Sequence, residues 1–163
     1  MEKEFVTLTK ENIDAEHLCC IIRTKKPHPG VEKKREWLRE RLSDGHVFRK
    51  LDAKGCAFIE YAPLETAWVP IEGDNYYYIY CLWVTGDLKG TGTGKELLES
   101  CIADAKENGK SGICMLGAKK QKAGRAFPPQ GSGRTRPVFF FIRLAKNGSG
   151  AQSSRRKNSL NSS

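Results

Sequence analysis

One stretch constrains this chain more than any other: an apolar strand that runs into a glycine-rich turn and then a helix. Tyr76–Thr85 is an aromatic and β-branched run whose near-continuous apolarity predicts a central strand. The loop Lys89–Gly94 follows it. After the loop, Leu97, Leu98, Cys101, Ile102 and Ala105 recur at the spacing of an amphipathic helix, and Asn108-Gly109 supplies its stop. Gly112–Leu116 reads as a short apolar strand. Strand, glycine loop, helix, strand is a βαβ unit, and its two strands must be parallel.

The loop itself points to an anion. Glycines accept positive φ and let a backbone approach a ligand closely. The unpaired N–H groups of a helix start, with the helix dipole, favour a group such as a diphosphate. Lys89 and Lys95 flank the loop. A tight turn with no ligand is the plain alternative, but three glycines at alternate positions between two lysines exceed what a turn requires. Two nucleotide motifs fail on specific residues. A Walker A loop has Lys89 where its first glycine belongs and Glu96 where its Ser/Thr belongs. A Rossmann loop lacks its third glycine after either Gly90-x-Gly92 or Gly92-x-Gly94.

Upstream, residues 4–9 alternate at period two and read as a strand. Asn12 or Asp14 can cap a helix carrying Leu18, Ile21 and Ile22, and 31–43 reads as a second helix after the breaker Lys26–Gly30. His46–Leu51 and Gly55–Pro63 read as a strand pair, with Ala67–Ile71 as an extension of the second strand. The fold class is α/β (α+β), in one domain.

Charge divides the chain. Residues 1–118 hold 17 Lys+Arg against 19 Asp+Glu, whereas 119–163 hold 11 Lys+Arg and no acid, so the net +9 describes a tail and not a domain. The chain therefore divides into a domain over 1–118 and a basic tail over 119–163. Gly, Pro and Ser supply 15 of the tail's 45 residues, which predicts that 147–163 and most of the tail lack fixed structure. Val138–Leu144 is the one patch there that could form a strand. The tail carries no RNA- or DNA-binding motif, so its cations alone do not make the chain a nucleic-acid binder. No run reaches the about 18 apolar residues of a membrane span, and the N-terminus lacks a signal-peptide pattern, so a cytoplasmic protein without a membrane partner is expected. The six cysteines form no Cys-x-x-Cys and sit mostly in apolar runs; reduced buried thiols are expected, with no metal. His17, Cys19 and Cys20 read as helix packing, since 19 does not share a helical face with 17 and 20.

A family resemblance adds to this reading. Lys89-Gly90-Thr91-Gly92-Thr93-Gly94 resembles the Gln/Arg-x-x-Gly-x-Gly/Ala loop of GNAT-superfamily N-acetyltransferases, with Lys in the first place. The preceding Leu82-x-Val84, the Asp87-Leu88 pair and the Leu97-Leu98 helix face agree with that family, as does the element order over about residues 4–118. Residues 11–20 and 67–71 are similar to YoaP-type bacterial GNAT proteins, which often carry a further thioredoxin-like domain. The resemblance implies a mixed sheet with helices on both faces. It implies acetyl-CoA as co-substrate and acetyl transfer to the amine of an acceptor by direct attack. Acetyl-CoA would lie where Tyr76–Thr85 and Gly112–Leu116 splay apart, with its diphosphate on Lys89, Gly90, Thr91, Gly92, Thr93, Gly94 and Lys95. Its pantetheine arm would pair with the main chain of Leu82, Trp83 and Val84, and an N–H near Val84 would polarise the thioester.

The pattern departs from the family after Leu116. A helix bearing a thiolate-protonating tyrosine and a two-strand hairpin are expected there, whereas 119–163 holds no tyrosine and no acid. The C-terminal half of the sheet is therefore expected to be incomplete, Gly112–Leu116 to be an exposed edge, and the tail to reflect an altered reading frame or a truncation. A CoA-binding but catalytically defective relative, and a basic-tailed nucleic-acid binding module, are the alternatives. The acceptor and the catalytic residues are not identified. Glu60 sits in the apolar strand Cys56–Tyr61, where it reads either as a general base with raised pKa facing the cleft, or as a carboxylate that points to solvent or pairs with a lysine. Tyr76, Tyr77, Tyr78 and Tyr80 read as core or cleft wall. His28 and His46 read as surface residues.

Overall fold

The computed structural model describes residues 3–18, 27–53, 56–118 and 137–144. They form one six-stranded sheet whose spatial order is the chain order: β1 (Phe5–Thr7), β2 (Val47–Leu51), β3 (Ala57–Pro63), β4 (Tyr76–Val84), β5 (Gly112–Ala118) and β6 (Pro137–Arg143). Every neighbouring pair is antiparallel except β4 and β5, which are parallel. The helix α2 (Thr93–Glu107) makes that parallel crossover, as the strand–loop–helix–strand pattern requires. The other α-helix among the described residues, α1 (Pro29–Arg41), precedes β2.

Strand alternation sends side chains to two faces, and each face has its own helix. On one face Leu38 of α1 packs with Phe48, Phe58, Leu8, Ile13 and Leu18. The Phe48 and Phe58 rings stack with centroids 4.6 Å apart. On the other, Leu97, Cys101 and Ala105 of α2 pack on Ile59, Tyr61, Tyr77, Ile79 and Ile113. These helix residues follow the predicted stripe. Buried Cys101 and Cys114 behave as small hydrophobes, and burial pushes their thiols up to about 12 and about 11. Cys56 and Cys81 are half-buried thiols, and Cys19 and Cys20 lie outside the described residues.

Several expectations are corrected. The helix α1 begins at Pro29 and not at 31, because proline is tolerated at the first helical position and the His28 ring caps the end, accepting from the Gly30 N–H at 3.1 Å. Asn12 caps no helix. Residues 10–15 are turns, and the Asn12 amide ties them back, accepting from the Thr9 N–H at 2.8 Å and donating to the Thr7 carbonyl at 3.1 Å. Residues 19–26, including Ile21 and Ile22, lie outside the described residues. Ala67–Ile71 does not extend β3. A 3-10 turn over Leu64–Thr66 ends the strand, Pro70 has no N–H to donate, and Trp68 is left 81% exposed. The strand Gly112–Leu116 is no edge, because β6 pairs with it from Gly112↔Arg143 to Ala118↔Pro137. Thus the basic segment after 118 contributes a strand, at the patch the sequence marks as capable of one. Residues 119–136 and 145–163 lie outside the described residues. No helix among the described residues is long and apolar enough to cross a membrane.

One polar cluster ties α2 to the sheet. Asp104 accepts from the Arg49 guanidinium at 3.0 Å and from the hydroxyl of fully buried Tyr61. Burial, then that hydrogen bond, hold the Tyr61 hydroxyl well above its usual range. Asp104→Ala strands both donors and should lower unfolding free energy by about 2–3 kcal/mol, measured by urea denaturation. Adding Tyr61→Phe should recover part of the loss by deleting the orphaned hydroxyl; a single variant as stable as the parent would show that the cluster holds nothing.

Candidate functional site

The sheet opens between its two parallel strands. β4 pairs β5 only from Tyr76↔Gly112 to Ile79↔Met115, although β5 continues to Ala118 on its other side. The parting coincides with an irregularity in β4. Glu60 lies opposite Cys81 while the next residue, Tyr61, lies opposite Ile79, so Tyr80 is an extra residue in the strand. Such a bulge bends the strand that carries it. Tyr80 is held from several sides: its hydroxyl accepts from the Trp68 N–H at 3.1 Å, and its ring lies 5.2 Å from the His46 ring and 5.0 Å from Tyr78.

Beyond the bulge, one edge of β4 has no strand beside it. The Thr85 N–H donates to the Cys56 carbonyl at 3.0 Å, toward β3. By strand alternation, the main-chain groups of Trp83 turn the same way, and those of Leu82 and Val84 turn into the gap. The side chains of Leu82 and Val84 pack on the α2 side, and that of Trp83 on the α1 side.

The glycine loop stands at the mouth of this gap. A Cβ on Gly94 would sit 3.4 Å from Val84 Cγ2, which places the start of α2 against the end of β4. Gly92 is the N-cap, at φ +83°, with no side-chain cap. The first intrahelical bonds run from the Lys95 and Glu96 N–H groups to the Gly92 carbonyl, at 2.9 and 3.1 Å. The N–H groups of Thr93 and Gly94 precede them and point out of the helix end. Lys89, Gly90, Thr91, Gly92 and Lys95 are exposed, and a Cβ on Gly90 would meet nothing within 4 Å. Thr93 is fully buried, so its hydroxyl serves the loop and not a ligand: it lies 2.8 Å from the Thr91 hydroxyl, which also donates to the Leu88 carbonyl at 2.7 Å. Gly94 thus brings the loop against the end of β4, and of the strand residues singled out in the sequence Leu82 and Val84 turn their main chain into the gap whereas Trp83 does not, because its N–H and carbonyl face β3.

Glu60 is not the raised-pKa base. It is 3% exposed; Oε1 lies 3.1 Å from His46 Nε2, and Oε2 accepts from Lys34 Nζ at 2.6 Å. Burial pushes the carboxyl up, but the His46 hydrogen bond and the Lys34 ammonium outweigh it and leave the group below its ordinary value. With both oxygens engaged, the lysine-paired alternative is the observed one. His46 is no surface residue either: it is 4% exposed, with the Trp37 ring edge-on at 5.1 Å. The β2–β3 register accounts for it, since Phe48 lies opposite Glu60 and residue 46 stands two places along on the same face. A carboxylate whose folded pKa is depressed contributes stability above its unfolded pKa and loses it as pH falls through the folded one. Glu60→Gln should therefore cost about 2–3 kcal/mol at pH 7 in urea unfolding, and the deficit should shrink below the ordinary carboxylate value of 4.5. An equal deficit at pH 3 and pH 7 would deny the ion pairing.

Sequence and structure comparisons bear on the family and the fold. The family model described as Acetyltransferase (GNAT) family matches residues 11–127. A Bacillus subtilis (strain 168) protein described as uncharacterized N-acetyltransferase YoaP is 44% identical over 117 residues, which cover 72% of this chain and 47% of that protein. The chain thus spans about half the length of that curated relative. Among solved structures, the ribosomal-protein-S18-alanine N-acetyltransferase of Escherichia coli superposes with a TM-score of 0.58 at 13% identity, covering 90% of this chain and 97% of that one. The yncA protein of Salmonella typhimurium, solved with its cofactor acetyl-CoA, gives 0.57 at 15% identity, covering 93% and 99%. At such identities these two structures speak for the fold alone, whereas the family match extends over most of the sequence. The chain belongs to the GNAT acetyltransferase family.

Proposed function

We propose that this chain transfers the acetyl group of acetyl-CoA to the amine of an acceptor. The observation that carries the reading is the alignment of two features: an unpaired β4 edge at Leu82 and Val84, and an uncapped helix start at Gly92 at the mouth of the same gap. The donor fits both. Its pantetheine arm has amides that can hydrogen-bond to an open strand edge as an added strand would. Its diphosphate suits the exposed N–H groups of the loop and the charges of Lys89 and Lys95. The Gly92 and Gly90 positions leave room for it, since neither carries a side chain into that space.

The chemistry is direct attack. A neutral amine forms a bond to the acetyl carbon, the carbon–sulfur bond breaks, and CoA departs as a thiolate that takes up a proton. The N–H of Val84, aimed into the gap, is the main-chain group placed to polarise the thioester carbonyl. Glu60, fully engaged by His46 and Lys34, supports the strand beside the bulge and takes no proton from the substrate. The cytoplasm is the compartment we assign, in keeping with Cys101 and Cys114 held as core thiols.

A ligand that binds only the native state raises the melting temperature by mass action. Acetyl-CoA should therefore shift the thermal unfolding midpoint upward. The pair Gly92→Val and Gly94→Val should abolish the shift, the first by placing a β-branched residue at φ +83° and the second by crowding Val84. Release of free CoA thiol with a panel of primary amines then reads the transfer itself. An unchanged shift in the glycine variant would place acetyl-CoA elsewhere, and binding without thiol release would mark a CoA-binding relative that does not catalyse.

A further inference from the structure

The start of α2 contains a conflict. Glu96 lies in its first turn, where a carboxylate favours the helix dipole in the absence of ligand. Its Oε1 folds back to 3.7 Å from where a Cβ on Gly92 would stand, beside the N–H groups offered to an anion. An unneutralised carboxylate there would repel a diphosphate. The flanking cations do not answer it: Lys95 reaches Glu99 at 3.6 Å, one turn further on, and among the described residues Lys89 makes no ion pair. The cation that does comes from the other end of the chain. Lys3, just before β1, sets its Nζ 2.7 Å from Glu96 Oε1 and 2.9 Å from the carbonyl oxygen of Thr91. It bridges the loop to the first turn of the helix.

We propose that Lys3 is a positioning residue of the glycine loop, whose ammonium neutralises Glu96 and so keeps the start of α2 receptive to the diphosphate of acetyl-CoA. The inference rests on the reading of that loop as the acetyl-CoA site. The Thr91 carbonyl aims the ammonium; the charge does the rest. Lys3 acts through Glu96, so the two residues must be coupled in their effect on ligand affinity.

Isothermal titration of acetyl-CoA into the full chain tests this. Lys3→Ala should weaken binding about fivefold, the scale of one partly exposed charge interaction, while Lys3→Arg retains affinity. Glu96→Gln should bind at least as tightly as the parent. The combination of Lys3→Ala with Glu96→Gln should return to within about twofold of the parent, because no carboxylate remains to neutralise. A merely structural lysine would show no such rescue. Unchanged affinity in Lys3→Ala, or a double variant as weak as Lys3→Ala, overturns the proposal. Binding that is lost in the Gly92→Val, Gly94→Val variant but unaffected by Lys3→Ala overturns this inference alone. Absence of binding by the parent, or binding indifferent to the glycine replacements, overturns the loop assignment and this inference with it.

Discussion

The structure depends on the parting of β4 from β5. Two parallel strands that could pair along their whole length pair over four residues, and the extra residue at Tyr80 marks where they separate. Everything assigned to the ligand follows from that separation. It exposes one edge of β4, turns the main-chain groups of Leu82 and Val84 into open space, and leaves a gap that ends at the helix start. A sheet with full pairing would have used those groups on itself.

Keeping such a bulge in place requires support, and the α1 face supplies it with polar rather than purely apolar packing. Buried Glu60 pairs with half-buried Lys34 and hydrogen-bonds buried His46 beneath β4, with the Trp37 and Tyr80 rings against the imidazole. Removing Lys34 would leave the buried Glu60 carboxylate without its cation, so the cluster resists partial change. On the opposite face, Asp104 fastens α2 to β2 and β3 through Arg49 and Tyr61. The helix whose N-terminus faces the gap is thereby anchored near its other end, and the glycine loop is presented from a fixed element.

The loop combines features that would conflict in isolation. Gly92 and the N–H groups beyond it favour an anion, while Glu96 opposes one and Lys3 offsets Glu96. A chain segment remote in sequence thus bears on the charge of a local motif. Pattern matching on Lys89–Lys95 alone cannot register this, since the contact spans 93 residues.

What the sequence determined by itself is what short-range pattern encodes. The period of β4, the glycine spacing, the apolar stripe of α2 and the short strand after it specify a parallel βαβ unit with an anion-suited turn. The strand at Val138–Leu144 was legible as a possibility for the same reason, although its composition argued for an unstructured tail; pairing with β5 decided it. What only the tertiary structure decided are matters of register and partnership. Whether Glu60 is a raised-pKa base or an ion-paired carboxylate depends on which side chains meet it across the sheet and from α1, and so does the burial of His46. The site where β4 and β5 separate coincides with a one-residue mismatch between the consecutive strands β3 and β4, which leaves no mark in local hydrophobic periodicity.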